Sequence, residues 1–225
     1  MPRPKLFRSN DLPYHVSVQV NNRENFPVSG DYLWRVACTV LAEAAERYGP
    51  RIHAFVQMSN HLHILLTTPN GNVDAVMRFF LSQLACRVNA ASGRADHLFA
   101  ARYKWSVLET AYAVAYVLKY VFRNPVRARM AASVASYPYS SYFPRAANPL
   151  PLVEGIGELW RLVPRDIGTR LHWLDKPTPK ELEELVKRAL RRSRFSFSKS
   201  KEFTLLFKAL DESYEVRDPN PRTEE

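Results

Sequence analysis

The chain has 225 residues, 46% of them apolar and 12% aromatic, which excludes a wholly disordered polymer and allows one well-filled domain plus an appendage. Lys and Arg outnumber Asp and Glu by 32 to 22, a formal net charge of +10, so the expected partner is polyanionic: nucleic acid first, an anionic membrane surface second. Two cysteines, Cys38 and Cys86, are too few for a disulfide framework or a zinc site. The start, Met1-Pro2-Arg3-Pro4-Lys5, has no apolar signal region, and no apolar run reaches bilayer length, so a cytoplasmic protein without a membrane segment is expected.

Tyr14 to Asn21 alternates, with Val16, Val18 and Val20 on one side and His15, Ser17 and Gln19 on the other, which predicts a half-buried strand. From Asp31 to Tyr48, Leu33, Val36, Ala37, Val40, Leu41 and Ala44 recur at helical spacing until Gly49-Pro50 stops them. Ile52, Ala54, Val56 and Met58 alternate as a second strand, and Ser59-Asn60 makes a tight connection to a third, Asn60-His61-Leu62-His63-Ile64-Leu65-Leu66. Val73 to Asn89 predicts a second helix and Tyr103 to Glu109 a fourth strand. The order β-α-β-β-α-β is the split βαβ, or ferredoxin-like, α+β arrangement, whose two helices cover one face of an antiparallel sheet and leave the other open. A further helix from about Ala111 through Phe122 is expected on that open face, and the pattern then loosens up to Pro164. Thr178-Pro179-Lys180-Glu181 predicts a capping box with proline at the first helical position, opening a basic helix. Residues 1–149 are read as the core domain and 150–225 as a basic, partly helical appendage.

Side chains alternate across a strand, so His61 and His63 project together from one face while Leu62, Ile64 and Leu66 project from the other, under the helices. Two imidazoles side by side can hold one metal ion; taken alone, the pair also fits a solvated strand face. A second constellation follows in Tyr116 to Ala128, where Tyr120 and Asn124 stand four residues apart. If that helix crosses the open face, a divalent ion on His61 and His63, with Asn124 as a third ligand, keeps positions for phosphate oxygens, and the Tyr120 phenol can attack phosphorus. An unperturbed phenol loses its proton only near pH of about 10, so it needs help from the ion or from cations such as Lys119 and Arg123. Tyr120 equally fits a buried aromatic, and Asn124-Pro125 a turn that breaks the helix before the alignment is made.

These stretches resemble the single-tyrosine HUH transposases, most closely the branch associated with repetitive extragenic palindromes (REP). The matching residues are Tyr14-His15-Val16 with Asn22-Arg23 and Phe26; Ile52 to Phe55 leading into Met58 to Leu66; Val88-Asn89 and Gly93; His97-Leu98-Phe99 with Arg102-Tyr103; Tyr120 to Ala128; and Ser140-Ser141-Tyr142. They lie in order over roughly 14–142. The resemblance implies an enzyme that cuts and rejoins single-stranded DNA beside hairpins, with Mg²⁺ or Mn²⁺ on His61, His63 and Asn124 and a 5′-phosphotyrosine on Tyr120; Tyr116 is the fallback nucleophile. Ser59 stands where the family usually has proline, and Arg129 where it usually has glycine.

Arg102, Lys104, Lys119, Arg123, Arg127 and Arg129 are expected to meet DNA phosphates around the site, and Arg188, Arg191 and Arg192 to clamp a hairpin stem. Phe79, Phe99, Trp105 and Tyr142 are candidates for stacking on unpaired bases. A monomer is expected in preference to a homodimer, associated with the nucleoid when bound to DNA. The competing readings are a cleavage-poor hairpin-binding protein and, far behind, a two-histidine phosphoesterase, which would need a second separated His pair.

Overall fold

The computed structural model describes residues 6–143, 150, 152–155 and 157–195; the N-terminal five residues and those after Phe195 lie outside them. Strand β1 (Tyr14–Gln19) is followed by helix α1 (Gly30–Tyr48), strands β2 (Arg51–Gln57) and β3 (His61–Thr67), helix α2 (Val73–Ser92) and strand β4 (Lys104–Leu108). Helix α3 (Ala111–Arg127) comes next, then α4 (Ile167–Asp175), α5 (Lys180–Ala189) and the two-residue strand β5 (Arg194–Phe195). The sheet order is β2-β3-β1-β4-β5, antiparallel except for the β4–β5 pair. The first four strands thus form the expected ferredoxin-like α+β sheet.

Local chemistry sets the ends of the elements. The Ser29 hydroxyl accepts the Tyr32 amide at the start of α1, and the Thr110 hydroxyl accepts the Ala113 amide at the start of α3. Gly49 and Gly93 close α1 and α2 at φ of 70° and 69°, where a side chain would be strained.

The sheet separates two cores. On one face α1 and α2 pack over Val16, Val18, Leu62, Ile64 and Leu66, with Trp34 stacked on Phe55 at 5.2 Å. On the other, α3 lies over Ala54, Val56 and Leu65. The expected single phase along Ile52, Ala54, Val56 and Met58 does not hold: β2 is irregular between Ile52 and Ala54, so Ile52 and Phe55 face the α1/α2 side and Ala54, Val56 and Met58 face α3.

Both sheet edges are covered. Ser141 gives its amide to the Phe55 carbonyl while its hydroxyl accepts the Phe55 amide, and the Gln57 and Val153 amides donate to the Tyr139 and Ile52 carbonyls. At the far edge β5 receives β4. Helix α4 is an unanticipated element, begun by Asp166, whose carboxylate accepts the Thr169 amide. The expected capping box of α5 is absent: Pro179 sits at the cap position and Thr178 makes no cap bond there. From α4 and α5, Leu174, Leu182 and Val186, and from β5 Phe195, share the core of α3.

Candidate active site

Register puts the histidines where alternation predicted. Ser17 pairs with His63 and Gln19 with His61 across β1 and β3, and the face they share is the one that α3 crosses. His61 is half-buried and His63 is 5% exposed. A third imidazole joins them: His15 of β1, 4% exposed, brings Nε2 to 2.9 Å from His63 Nδ1, with the rings stacked at 5.1 Å. The His61 Nδ1–H donates to Asn60 Oδ1 at 2.6 Å, and the Asn60 amide is held by Nδ2 donating to the Arg23 carbonyl. His63 Nε2 is buried with no hydrogen-bond partner among the described residues.

Burial holds all three rings neutral. It takes His15 down to about 3, with His61 adding repulsion, and pushes His63 well below the ordinary imidazole range, with His15, His61 and Arg127 adding to the effect. His61 is lowered by burial and then by Arg127. Neutral imidazoles keep the lone pairs that a metal requires.

Helix α3 carries Tyr120 over these rings, edge-on to His63 at 5.9 Å and to His15 at 6.5 Å between centroids. The anticipated break at Asn124-Pro125 does not occur. Pro125 lies inside the last turn, which closes with the Arg129 amide on the Val126 carbonyl and the Met130 amide on the Pro125 carbonyl. The turn therefore uses the proline's acceptor while dispensing with its missing donor, and Tyr120 and Asn124 stay on one helix face. Asn124 Nδ2 donates to the Tyr120 carbonyl at 2.9 Å, and its Oδ1 accepts Arg127 Nη2 at 3.1 Å. Arg127 also stands 5.0 Å over the Tyr120 ring and 3.8 Å from Glu183 of α5. Tyr116 is buried in the α3 core, and a crevice against α5 is lined by both Tyr116 and Tyr120, with Arg127, Thr178, Glu183 and Val186.

The histidines open into a groove of about 390 Å³ whose walls include Ser17, Gln19, Arg102 and Lys104. A second concavity of about 340 Å³ shares Ala101, Arg102 and Lys104 with it and continues past Trp105 to Leu190 and Arg191. A separate cavity of about 620 Å³ is lined by His53 and Trp160 and not by His61, His63 or Tyr120.

Two expected phosphate contacts are corrected. Lys119 is 0% exposed, 5.1 Å over the Trp173 ring, and Arg123 is buried with its guanidinium donating to the Leu174 and Asp175 carbonyls. Both face the appendage because they lie on the flank of α3 turned from the sheet. Arg102, Lys104, Arg127, Arg129, Arg188, Arg191 and Arg192 are exposed. Of the stacking candidates, Phe79 packs on Tyr48, Phe99 on Phe26 and Tyr142 on Phe122, and Trp105, paired with Val16, packs against the α1/α2 core on the sheet face opposite the histidines. His15 was legible only as a polar position on β1; its partner lies 48 residues away.

The donor set fits a divalent ion: a buried orphan Nε2 on His63, a second neutral imidazole beside it, and a carboxamide on the facing helix. Among the described residues no cluster of three or more His, Cys, Asp or Glu side chains could hold a metal ion.

The family model described as "Transposase IS200 like" matches residues 8–124, just over half of the chain, from before β1 to Asn124. The chain belongs to the IS200-like transposase family. No curated protein matches it. Among solved structures, a REP-associated tyrosine transposase bound to a REP hairpin aligns with TM-score 0.55 at 18% identity, over 71% of this chain and 93% of that one, a likeness of fold. A candidate transposase from Deinococcus radiodurans R1 aligns at TM-score 0.37 and 19% identity, over 54% of this chain and 94% of that one. The IS200-like match ends at Asn124, before α4 and α5. No helix among the described residues is long and apolar enough to cross a membrane.

Proposed function

We propose that this IS200-like transposase is a metal-dependent endonuclease and strand transferase for single-stranded DNA at hairpins, with Tyr120 as nucleophile. The observation that carries the reading is the placement of Tyr120 edge-on to His63 at 5.9 Å, over a buried imidazole nitrogen that has no other partner among the described residues. His61 and His63 would hold the ion through Nε2, and Asn124 would join them once Arg127 releases its Oδ1. When bound, Mg²⁺ or Mn²⁺ supplies Lewis-acid polarisation of the scissile phosphate. Mg²⁺ favours all-oxygen surroundings, so two nitrogen donors favour Mn²⁺.

The chain's own residues do the rest. The Tyr120 oxygen attacks phosphorus; the new oxygen–phosphorus bond forms as the bond to the 3′ oxygen breaks. The phenol gives up its proton and the departing 3′ oxygen gains one, leaving a 5′-phosphotyrosine and a free 3′ hydroxyl. The Arg127 guanidinium over the ring stabilises the developing phenolate. A later attack by a 3′ hydroxyl on the phosphotyrosine runs the same exchange in reverse and rejoins strands without a nucleotide cofactor. Arg102 and Lys104 hold the phosphates on either side. The bound hairpin of the fold relative suggests the substrate class. Tyr120 stands over the histidines of its own chain, which supports a monomer. Within this reading residues 1–149 form the nuclease domain and 150–225 a basic appendage, in a protein that works in the cytoplasm on the nucleoid.

End-labelled hairpin DNA with Mn²⁺, run on a denaturing gel, tests this. A covalent adduct is expected for wild type and Tyr116→Phe, and none for Tyr120→Phe or His61→Ala. A wild-type protein that binds the hairpin tightly yet forms no adduct is a hairpin-binding protein and not a nuclease.

A further inference from the structure

His15 has no part in the chemistry above, yet it is buried against the imidazole that the chemistry needs. Its Nε2 lies 2.9 Å from His63 Nδ1, with 27° between the ring planes. Two neutral imidazoles at that distance share one proton, so one ring donates and the other accepts. If His15 donated, the His63 proton would sit on Nε2, a buried N–H with no acceptor among the described residues, and such orphan donors are rare in folded proteins. The neighbouring histidine shows the alternative: His61 keeps its proton on Nδ1 because Asn60 presents an amide oxygen there, and its Nε2 lone pair is left for the groove.

We infer that His15 is a positioning residue that accepts the Nδ1–H of His63 and so fixes that ring as the tautomer whose Nε2 lone pair looks into the site. His15 itself then carries its proton on Nδ1. Its only polar contact with the ligand pair is spent on His63 Nδ1, so it is not a third ligand. β1 and Asn60 thereby impose one tautomer on both rings, presenting two lone pairs before any ion arrives. Outer partners of this kind change metal affinity by about 10- to 100-fold when removed. The consequence for metal rests on the proposed function; the tautomer does not.

The test starts with the metal-free wild-type protein, whose imidazole tautomers are read by long-range ¹H–¹⁵N correlation. His63 is expected as the Nδ1–H form; a proton on Nε2 overturns the inference whatever the variants do. His15→Phe keeps the ring volume and loses the acceptor, and His15→Gln keeps an acceptor. Mn²⁺ titrated calorimetrically is expected to bind His15→Phe about 10- to 100-fold more weakly than wild type, with His15→Gln restoring much of the loss and hairpin binding in chelator unchanged in both. Wild-type affinity in a folded His15→Phe overturns the inference. If wild type shows the Nδ1–H form but takes up no Mn²⁺, the tautomer assignment stands and the metal reading of the proposed function falls.

Discussion

Arg129 stands just beyond α3 with φ of 59°, in the left-handed region that side chains adopt at a cost. Its amide and that of Met130 close the helix onto the Val126 and Pro125 carbonyls, so the conformation is fixed by the cap and not by the side chain. Arg129→Gly is expected to stabilise the protein by about 1 kcal/mol in urea unfolding, the relief of left-handed strain outweighing the extra freedom of the unfolded glycine. It is also expected to weaken hairpin binding at low salt, because an exposed cation near the site is lost. A stability gain with unchanged DNA affinity would remove Arg129 from the DNA-contacting set.

Helix α3 has two working faces. Tyr120 and Asn124 serve the histidines, while Lys119 and Arg123 on another flank serve the appendage. Burial, with Arg123 and Lys176 adding repulsion, takes the Lys119 ammonium from its ordinary 10.5 down to about 7. Between those values the unfolded chain holds a proton that the folded chain lacks, so stability rises as pH climbs from about 7 towards 10.5; below 7 both states are protonated and the contribution stops changing. Urea unfolding at pH 7, 8 and 9 is expected to show that rise in wild type and a flatter profile in Lys119→Met. The same variant should keep wild-type hairpin affinity, since Lys119 lies beneath α4 and not at the groove. A loss of affinity in a well-folded Lys119→Met would return this lysine to the DNA surface.

At the scale of the molecule the segment that carries α4, α5 and β5 does two things. Through Leu174, Leu182, Val186 and Phe195 it completes the core over α3 and closes the β4 edge, and it carries the exposed Arg188, Arg191 and Arg192. Arg191 lines the concavity that continues from the histidines past Trp105, so on the proposed function DNA in the groove would run towards the end of α5. Changing the three arginines together to Ala is expected to leave the fold intact and weaken hairpin binding. The slope of log affinity against log salt should fall by about 2 to 3 if all three meet phosphates. An unchanged slope would reduce the appendage to packing alone.

The sequence by itself determined the ferredoxin-like strand and helix order, the shared face of His61 and His63, and the Tyr120–Asn124 spacing. All three are short-range consequences of periods 2 and 3.6, and the motif order supplied the family. The phase of β2 was hidden because both faces of that strand are buried, so apolar residues on either side of the irregularity look alike. The continuation of α3 through Pro125 was equally hidden, since the cap that tolerates the proline is built from residues beyond it. Only the tertiary structure decided which charges are solvated and which imidazoles meet. Lys119 and Arg123 read as cations at the site until α4 covers them, and His15 read as one polar residue among three on β1 within the Tyr14-His15-Val16 match. Strand pairing sets it against His63, and a contact of that range follows from sheet register, which no local spacing encodes.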